Sequence, residues 1–511
     1  MNYIQTPRTI HKPSDQKSNK TSGKRDSSTP SSHREAMKPH VAFLSSPGMG
    51  HIIPLLELAK RLALHHGFKV TFLVITTTTE SSAVQDQLLR FPTFPPHLHI
   101  HHLPPVQLST IVTPDMPFLT RLCTTVRHSL QSLRSTLLQL GRPKALVIDI
   151  FTTEAFDVCK DLSIPVYSFF TASTALLAFS LYLPKLDDEV EGEFVHLPEP
   201  VRVPGCKPIC TEDLLEQVRN RKIDDYKWYL FHASRLPMAE GIFVNTWNDL
   251  DPDRLRALNH EPFFRDIPMP PVHPVGPLIK RDEPVAGNTD AVAVLKWMDD
   301  QPCNSVLLVA LGSGGTLTTE QLTELAWGLE MSQQRFVLVA RKPNEASASA
   351  AFFDTGRDAN EPASYLPEEF MKRTRKSGLV VPSWLPQVAV LGHKSTAAFL
   401  SHCGWNSTLE SVVNGVPMIA WPLYAEQRMN ATVMAEEVGV AVKPAVAPGE
   451  RVIRREEVER VVRLVMEGGK GEAMRRRARE LQESARQALD SGGGSSHEAL
   501  CRVTDSWKSQ Q

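Results

Sequence analysis

WLPQVAVLGHKSTAAFLSHCGWNSTLESVVNGVPMIAWPLYAEQ, residues 384–427, is the stretch whose reading decides the fold. Within it Ala397 to Ser401 is a short apolar run, a candidate buried strand. The run ends at His402-Cys403-Gly404-Trp405-Asn406-Ser407-Thr408, where a glycine followed by Asn, Ser and Thr marks a tight turn into a helix start. Leu409, Val412 and Val413 then recur at helical spacing, and Asn414-Gly415 closes the helix. Val416 to Leu423 reads as a second strand. The free N–H groups at such a helix start suit an anion, most naturally a phosphate. A plain core does not need His402, Trp405, Asn406, Ser407, Glu410, Glu426 and Gln427 near the carboxyl ends of strands, where ligands bind in open α/β sheets.

Working outward, the plan repeats. Ser305 to Leu311 is a buried strand, Gly312-Ser313-Gly314-Gly315-Thr316 its turn, and Thr318 with Gln321 forms a capping box for the next helix. Arg335 to Ala340 is the following strand. Near the N-terminus, His40 to Leu44 is a strand, Ser45 to Gly50 a turn, and His51 opens a helix that closes at Gly67 before the strand Phe68 to Ile75. This opening is Rossmann-like but lacks G-x-G-x-x-G, and Thr76–Thr79 stand where an acid would end the second strand, which argues against NAD. His51 at a helix N-terminus is disfavoured as imidazolium, as a general base requires; a histidine that only packs or caps is the other reading. Ala145 to Asp149 is a strand ending in a carboxylate, which either orients an imidazole or caps a helix.

Composition sets bounds. A chain of 511 residues holds about two to three domains. Lys plus Arg (56) and Asp plus Glu (57) nearly balance, so charge gives no argument for nucleic acid or an anionic membrane. Seven scattered cysteines, with Cys206 and Cys210 as a lone C-x-x-x-C, read as free thiols in a reducing cytosol. No apolar segment reaches the roughly 18 residues of a membrane helix, and no signal peptide is visible. His97, His99, His101 and His102 alternate as on one face of a strand but have no matched acids or cysteines, so no metal is expected there. Residues 1–37 are polar and expected to be a disordered leader.

The 384–427 stretch resembles, without a gap, the signature box of the plant UDP-dependent glycosyltransferases, and HCGWNSTLE is its most specific part. The resemblance spans about residues 38–505. It implies an α/β fold of two Rossmann-like domains facing across a cleft, the GT-B architecture. The boundaries read as an N-terminal acceptor-binding domain at 38–268, a proline-rich linker at 269–290, and a UDP-sugar-binding domain at 291–475. Residues 476–511 would then be a tail whose helix crosses back to the N-terminal domain.

Residue roles follow from the resemblance. SPGMGHIIP and LVIDIF match the family's base and its partner, so His51 would be the catalytic base, oriented by Asp149. Trp384 would stack on the uracil, Gln387 would lie beside its edge, and Glu410 would accept from the ribose hydroxyls. His402, Asn406, Ser407 and Ser313 would hold the diphosphate. Trp405, Glu426 and Gln427 would bind the sugar, with glucose favoured at Gln427. Position 426 is Asp in many relatives and Glu here; Ala310-Leu311 replaces the usual Ser-Phe, which puts an acceptor-side contact in doubt.

SPGMGHIIPL, LVIDIFTTEAFDV, GSGGTLT and AWPLYAEQRMNA are similar to the subgroup acting on hydroquinone, small phenols and monolignols. The expectation is an inverting UDP-glucose-dependent O-glucosyltransferase, metal-independent, cytoplasmic and monomeric. Its partners would be a UDP-sugar and a small phenol, with no nucleic acid and no integral membrane segment. A non-catalytic nucleotide-sugar binder, and a flavonoid or terpenoid acceptor, stay open as alternatives.

Overall fold

The computed structural model describes residues 38–76, 94–106, 111–113, 116–267, 269–280, 289–346, 348, 362–382, 385–447 and 449–509. Among the described residues thirteen strands fall into two sheets, with every pairing between these strands parallel. The first contains β1 (His40–Ser45), β2 (Lys69–Val74), β3 (Leu98–His102), β4 (Leu146–Ile148), β5 (Val166–Phe170), β6 (Gly241–Val244) and β7 (Val272–Pro274), in the order β3-β2-β1-β4-β5-β6-β7. The second contains β8 (Val306–Ala310), β9 (Arg335–Ala340), β10 (Gly378–Pro382), β11 (Thr396–Ser401), β12 (Met418–Ala420) and β13 (Ala441–Val442), in the order β10-β9-β8-β11-β12-β13. Helices cover both faces, so the strands are continuous apolar runs; VAFL of β1, LVI of β4 and TAAFLS of β11 are buried throughout.

In each sheet the chain lays strands to one side of its first strand and then returns to the other. The direction reverses between β1 and β4, and again between β8 and β11. Such switch points open a crevice at the carboxyl ends of the strands. The crevice of the first sheet is bounded by the turns leading to His51 and Asp149, that of the second by the turns carrying Gly312 and His402.

Two segments differ from their sequence reading. Residues 269–280 begin the expected linker, yet Val272–Pro274 forms β7, hydrogen-bonded to β6. Proline is tolerated there because β7 is short and lies at the sheet edge. Thr318 caps its helix, accepting from the Gln321 N–H at 3.2 Å, but the Gln321 side chain exchanges two hydrogen bonds with the Ile453 backbone instead of completing the capping box.

The chain crosses between halves near its end. The Gly469–Ala488 helix, within which the expected domain boundary at residue 475 falls, lies along the Trp405–Val413 helix, where Gln482 donates to Val413 O at 3.1 Å. After the glycines at 492–494 the Ser495–Ser509 helix joins the N-terminal domain. Its Leu500, Val503 and Trp507 enter the core between the Met49–His65 helix and the first sheet. Trp507 is fully buried, with ring centroids 5.0 Å from Tyr167 and 5.8 Å from Phe68. Removing so large a side chain typically costs about 3–5 kcal/mol, so this helix is part of the N-terminal core.

Candidate active site

His51 sits in the first turn of the Met49–His65 helix, directly after β1. Gly48 makes the corner with φ +125°, a conformation other residues rarely adopt. Asp149 directly follows β4, the neighbour of β1, and is fully buried. Asp149 caps a turn and also faces His51. One carboxylate oxygen, Oδ1, accepts the Phe151 N–H at 2.9 Å and caps the turn Ile150–Thr152. The other, Oδ2, accepts the Ser46 N–H at 2.8 Å and the Ser46 hydroxyl at 2.6 Å, and lies 3.4 Å from His51 Nδ1. Burial pushes this carboxyl up, but the His51 imidazole and the two Ser46 donors pull it below the ordinary carboxylate value. Thr171, just beyond β5, places its hydroxyl 3.2 Å from the same Nδ1. A proton on Nδ1, within reach of both Asp149 and Thr171, leaves Nε2 as the nitrogen able to accept another. Phe151 stands beside the imidazole, ring centroids 5.1 Å apart.

Across the crevice, β11 passes through Cys403, in the left-handed region at φ +62°, into the Trp405–Val413 helix, whose N-cap Gly404 offers no side-chain cap. That leaves first-turn N–H groups for an anion. Buried His402 packs against the turn after β8. Gly312 there has φ +74°, and a Cβ on it would stand 2.4 Å from His402 Nε2, so only glycine fits. Burial and then Arg341 lower the His402 pKa to about 4, holding it neutral, and its buried Nδ1 has no protein partner. Arg341, beyond β9, donates to the carbonyls of Gly312 and Gly315 and so brings a cation to this turn. Ser313 is exposed at the turn.

Gln387, Ser407 and Glu410 form one cluster. The Gln387 amide donates to Ser407 Oγ at 2.9 Å and to Glu410 Oε2 at 2.6 Å. Trp384 lies outside the described residues. Gln427 is buried, and its carbonyl oxygen already accepts the N–H groups of Leu423 and Tyr424 at 2.8 and 3.1 Å. Glu426 accepts from Asn430 at 3.2 Å; burial raises its pKa, while Asn430 and His51 oppose the rise. Trp405 spends its indole N–H on Asn245 O in the other half, at 2.9 Å, which leaves its backbone as its polar group. Asn406 also reaches across, donating to Gly50 O at 3.2 Å. Ala425 and Glu216 are joined twice, Ala425 N to Glu216 Oε2 at 3.1 Å and Glu216 N to Ala425 O at 3.3 Å. Ser46, Phe151, Thr171, Asn245 and Arg341 were not singled out by the sequence; each sits at or within a few residues of the end of a strand, the only signal that could have found them.

A half that presents a buried carboxylate and an imidazole, closed against a half that presents an anion-binding helix start, is built for group transfer from a phosphorylated donor. The family described as "UDP-glucoronosyl and UDP-glucosyl transferase" matches residues 294–477. An anthocyanidin 3-O-glucosyltransferase of Manihot esculenta is 44% identical over 478 residues, covering 93% of this chain and 97% of that protein. A hydroquinone glucosyltransferase of Rauvolfia serpentina is 44% identical over 475 residues, covering 92% and 98%. The structure of Phytolacca americana UGT2 with UDP-2fluoro-glucose and pterostilbene superposes with a TM-score of 0.81 at 40% identity, covering 92% of this chain and all of that one. The chain belongs to the plant UDP-glycosyltransferase family and is a glycosyltransferase of GT-B architecture.

Proposed function

We propose that the protein transfers glucose from UDP-glucose to the hydroxyl of a small phenol, with inversion to a β-glucoside. The observation that carries the reading is the placement of His51 Nδ1 3.4 Å from buried Asp149, which orients Nε2 as the base. The acceptor O–H gives its proton to Nε2. The oxygen attacks the anomeric carbon from one face as the bond to the UDP oxygen breaks on the other. Asp149 stabilises the imidazolium that forms. The charge on departing UDP meets the N–H groups of the Trp405–Val413 helix, His402, Asn406, Ser407 and the Ser313 turn, fixed dipoles that need no reorganisation.

A phenol suits this base, because its pKa near 10 makes it far more acidic than an alkyl alcohol. Phe151 beside His51 offers a planar acceptor an aromatic wall. Hydroquinone and anthocyanidin, the acceptors in two relatives' names, share phenolic hydroxyls. The sequence resemblance assigns Trp384 to the uracil; Gln387 and Glu410 bind the nucleoside, and Glu426, Gln427 and the Trp405 backbone hold the sugar. Catalysis uses no metal, since His51 supplies the base and dipoles meet the leaving charge. Seven free thiols support a reducing compartment, the cytoplasm; among the described residues no helix is long and apolar enough to cross a membrane.

The test is UDP release from UDP-glucose with hydroquinone, coniferyl alcohol, a flavonoid and a terpenoid alcohol, with chelator present. Turnover on the phenols with a β-linked product supports the reading. Turnover only on the terpenoid moves the acceptor class, and UDP-glucose binding without turnover makes the protein a sugar-nucleotide binder.

A further inference from the structure

We propose that His66, His497 and Cys501 form a site for a zinc-like divalent cation that fastens the C-terminal helix to the first helix of the N-terminal domain. His66 is the C-cap of the Met49–His65 helix, at the opposite end from His51. His497 and Cys501 are four residues apart in the Ser495–Ser509 helix and therefore share a face. The packing of Leu500, Val503 and Trp507 turns that face toward His66.

Cys501 Sγ lies 3.4 Å from His497 Nε2 and 4.0 Å from His66 Nδ1, and the three ligand atoms are within 4.8 Å of one another. Zinc bonds of about 2.3 Å to sulfur and 2.0–2.1 Å to nitrogen span tetrahedral edges of about 3.6 Å (S to N) and 3.4 Å (N to N). The two sulfur–nitrogen distances lie within about 0.4 Å of the ideal edge, and the two imidazoles, within 4.8 Å of each other, must draw together to close the triangle on an ion. Two imidazoles and a thiolate select a borderline-soft ion over magnesium or calcium. The Thr504 hydroxyl lies 3.4 Å from His66 Nδ1 and donates to Cys501 O at 3.0 Å, so the fourth position is left to water.

Burial is graded. His66 is 6% exposed, while His497 and Cys501 are partly open to solvent and leave a path of entry. Arg61 and Lys508 oppose a cation, and the thiolate formed when Cys501 releases its proton to solvent offsets them. The site lies at the other end of the Met49–His65 helix from His51, and the relatives' names assign nothing to it.

The test uses the full chain, freed of metal, titrated with Co2+ and with Zn2+. One Co2+ per chain with a thiolate-to-cobalt charge-transfer band is expected, displaced by Zn2+, together with a Zn2+-dependent rise in Tm. Cys501→Ser should lose the band, and His497→Ala should weaken binding by roughly tenfold or more. Both variants should keep wild-type UDP-glucose affinity, which shows that they fold. Absence of the band in the wild type, or a band of equal strength in Cys501→Ser, which would place the metal on exposed Cys210 or Cys303, overturns the proposal.

Discussion

Asn406, in the first turn of the helix proposed to meet the donor phosphates, donates its side-chain amide to Gly50 O, one residue before His51, at 3.2 Å. The bond ties the half proposed to hold the leaving group to the half that carries the proposed base. Asn406→Ala removes it and a proposed phosphate contact. Hydrogen bonds to neutral and charged partners are worth about 0.5–3 kcal/mol, so kcat/KM should fall between a few-fold and roughly a hundredfold. The KM for UDP-glucose should rise in the same experiment; an unchanged KM would assign Asn406 to domain closure alone.

Asp149→Asn keeps the shape of the turn but lets the amide donate to His51, favouring the wrong tautomer. We expect kcat to drop by about 10²–10⁴ with little change in KM for UDP-glucose, read by initial-rate kinetics. The same carboxyl carries a pH signature. Its folded pKa lies below the 3.8 of an ordinary Asp, so its contribution to stability is complete above 3.8 and is lost as pH falls through the lower folded value. Denaturant melts of wild type and variant should therefore differ most at neutral pH and converge below pH 3.8.

Gly312→Ala places a methyl 2.4 Å from His402 Nε2 on a backbone with φ +74°. The turn and His402 must separate, and both line the proposed diphosphate site. UDP affinity by calorimetry should weaken by roughly tenfold or more, with His51 chemistry untouched. Full affinity in a folded variant would mean that this turn does not bind the donor.

Buried His232, between Thr153 Oγ1 at 2.7 Å and Cys123 Sγ at 3.2 Å, is lowered to about 3 by burial, which outweighs the upward pull of Asp149. The unfolded chain takes a proton there near pH 6.5 and the folded chain does not. Stability from this group is complete above 6.5 and declines as pH falls toward 3, by up to about 1.4 kcal/mol per unit. His402, lowered to about 4, acts in the same direction. Chemical denaturation at pH 7 and pH 5 should show a clear loss, and His232→Gln should reduce that loss if the variant folds.

How far the sequence could be read depends on what each residue faces. His51, Asp149, His402 and Asn406 were legible because they stand at strand ends within motifs, and Gln387, Ser407 and Glu410 prove to be one hydrogen-bonded group. The Trp405 indole was not legible: its partner is a backbone carbonyl 160 residues away, which no spacing reveals. Thr171, Ser46 and Arg341 are ordinary residue types whose importance comes from neighbours brought in by sheet order. β7 was hidden because proline argues against a strand until the strand is known to be an edge. The docking of the last helix rests on Leu500, Val503 and Trp507, a spacing that reads as amphipathic without saying which sheet it covers.

The most direct test of the central claim is UDP release from UDP-glucose and hydroquinone by the wild type and by His51→Ala, with UDP binding measured on both. A base oriented by Asp149 predicts turnover in the wild type, a loss of at least about 10² in kcat in the variant, and equal UDP affinity in the two. Comparable turnover by the two proteins would contradict it.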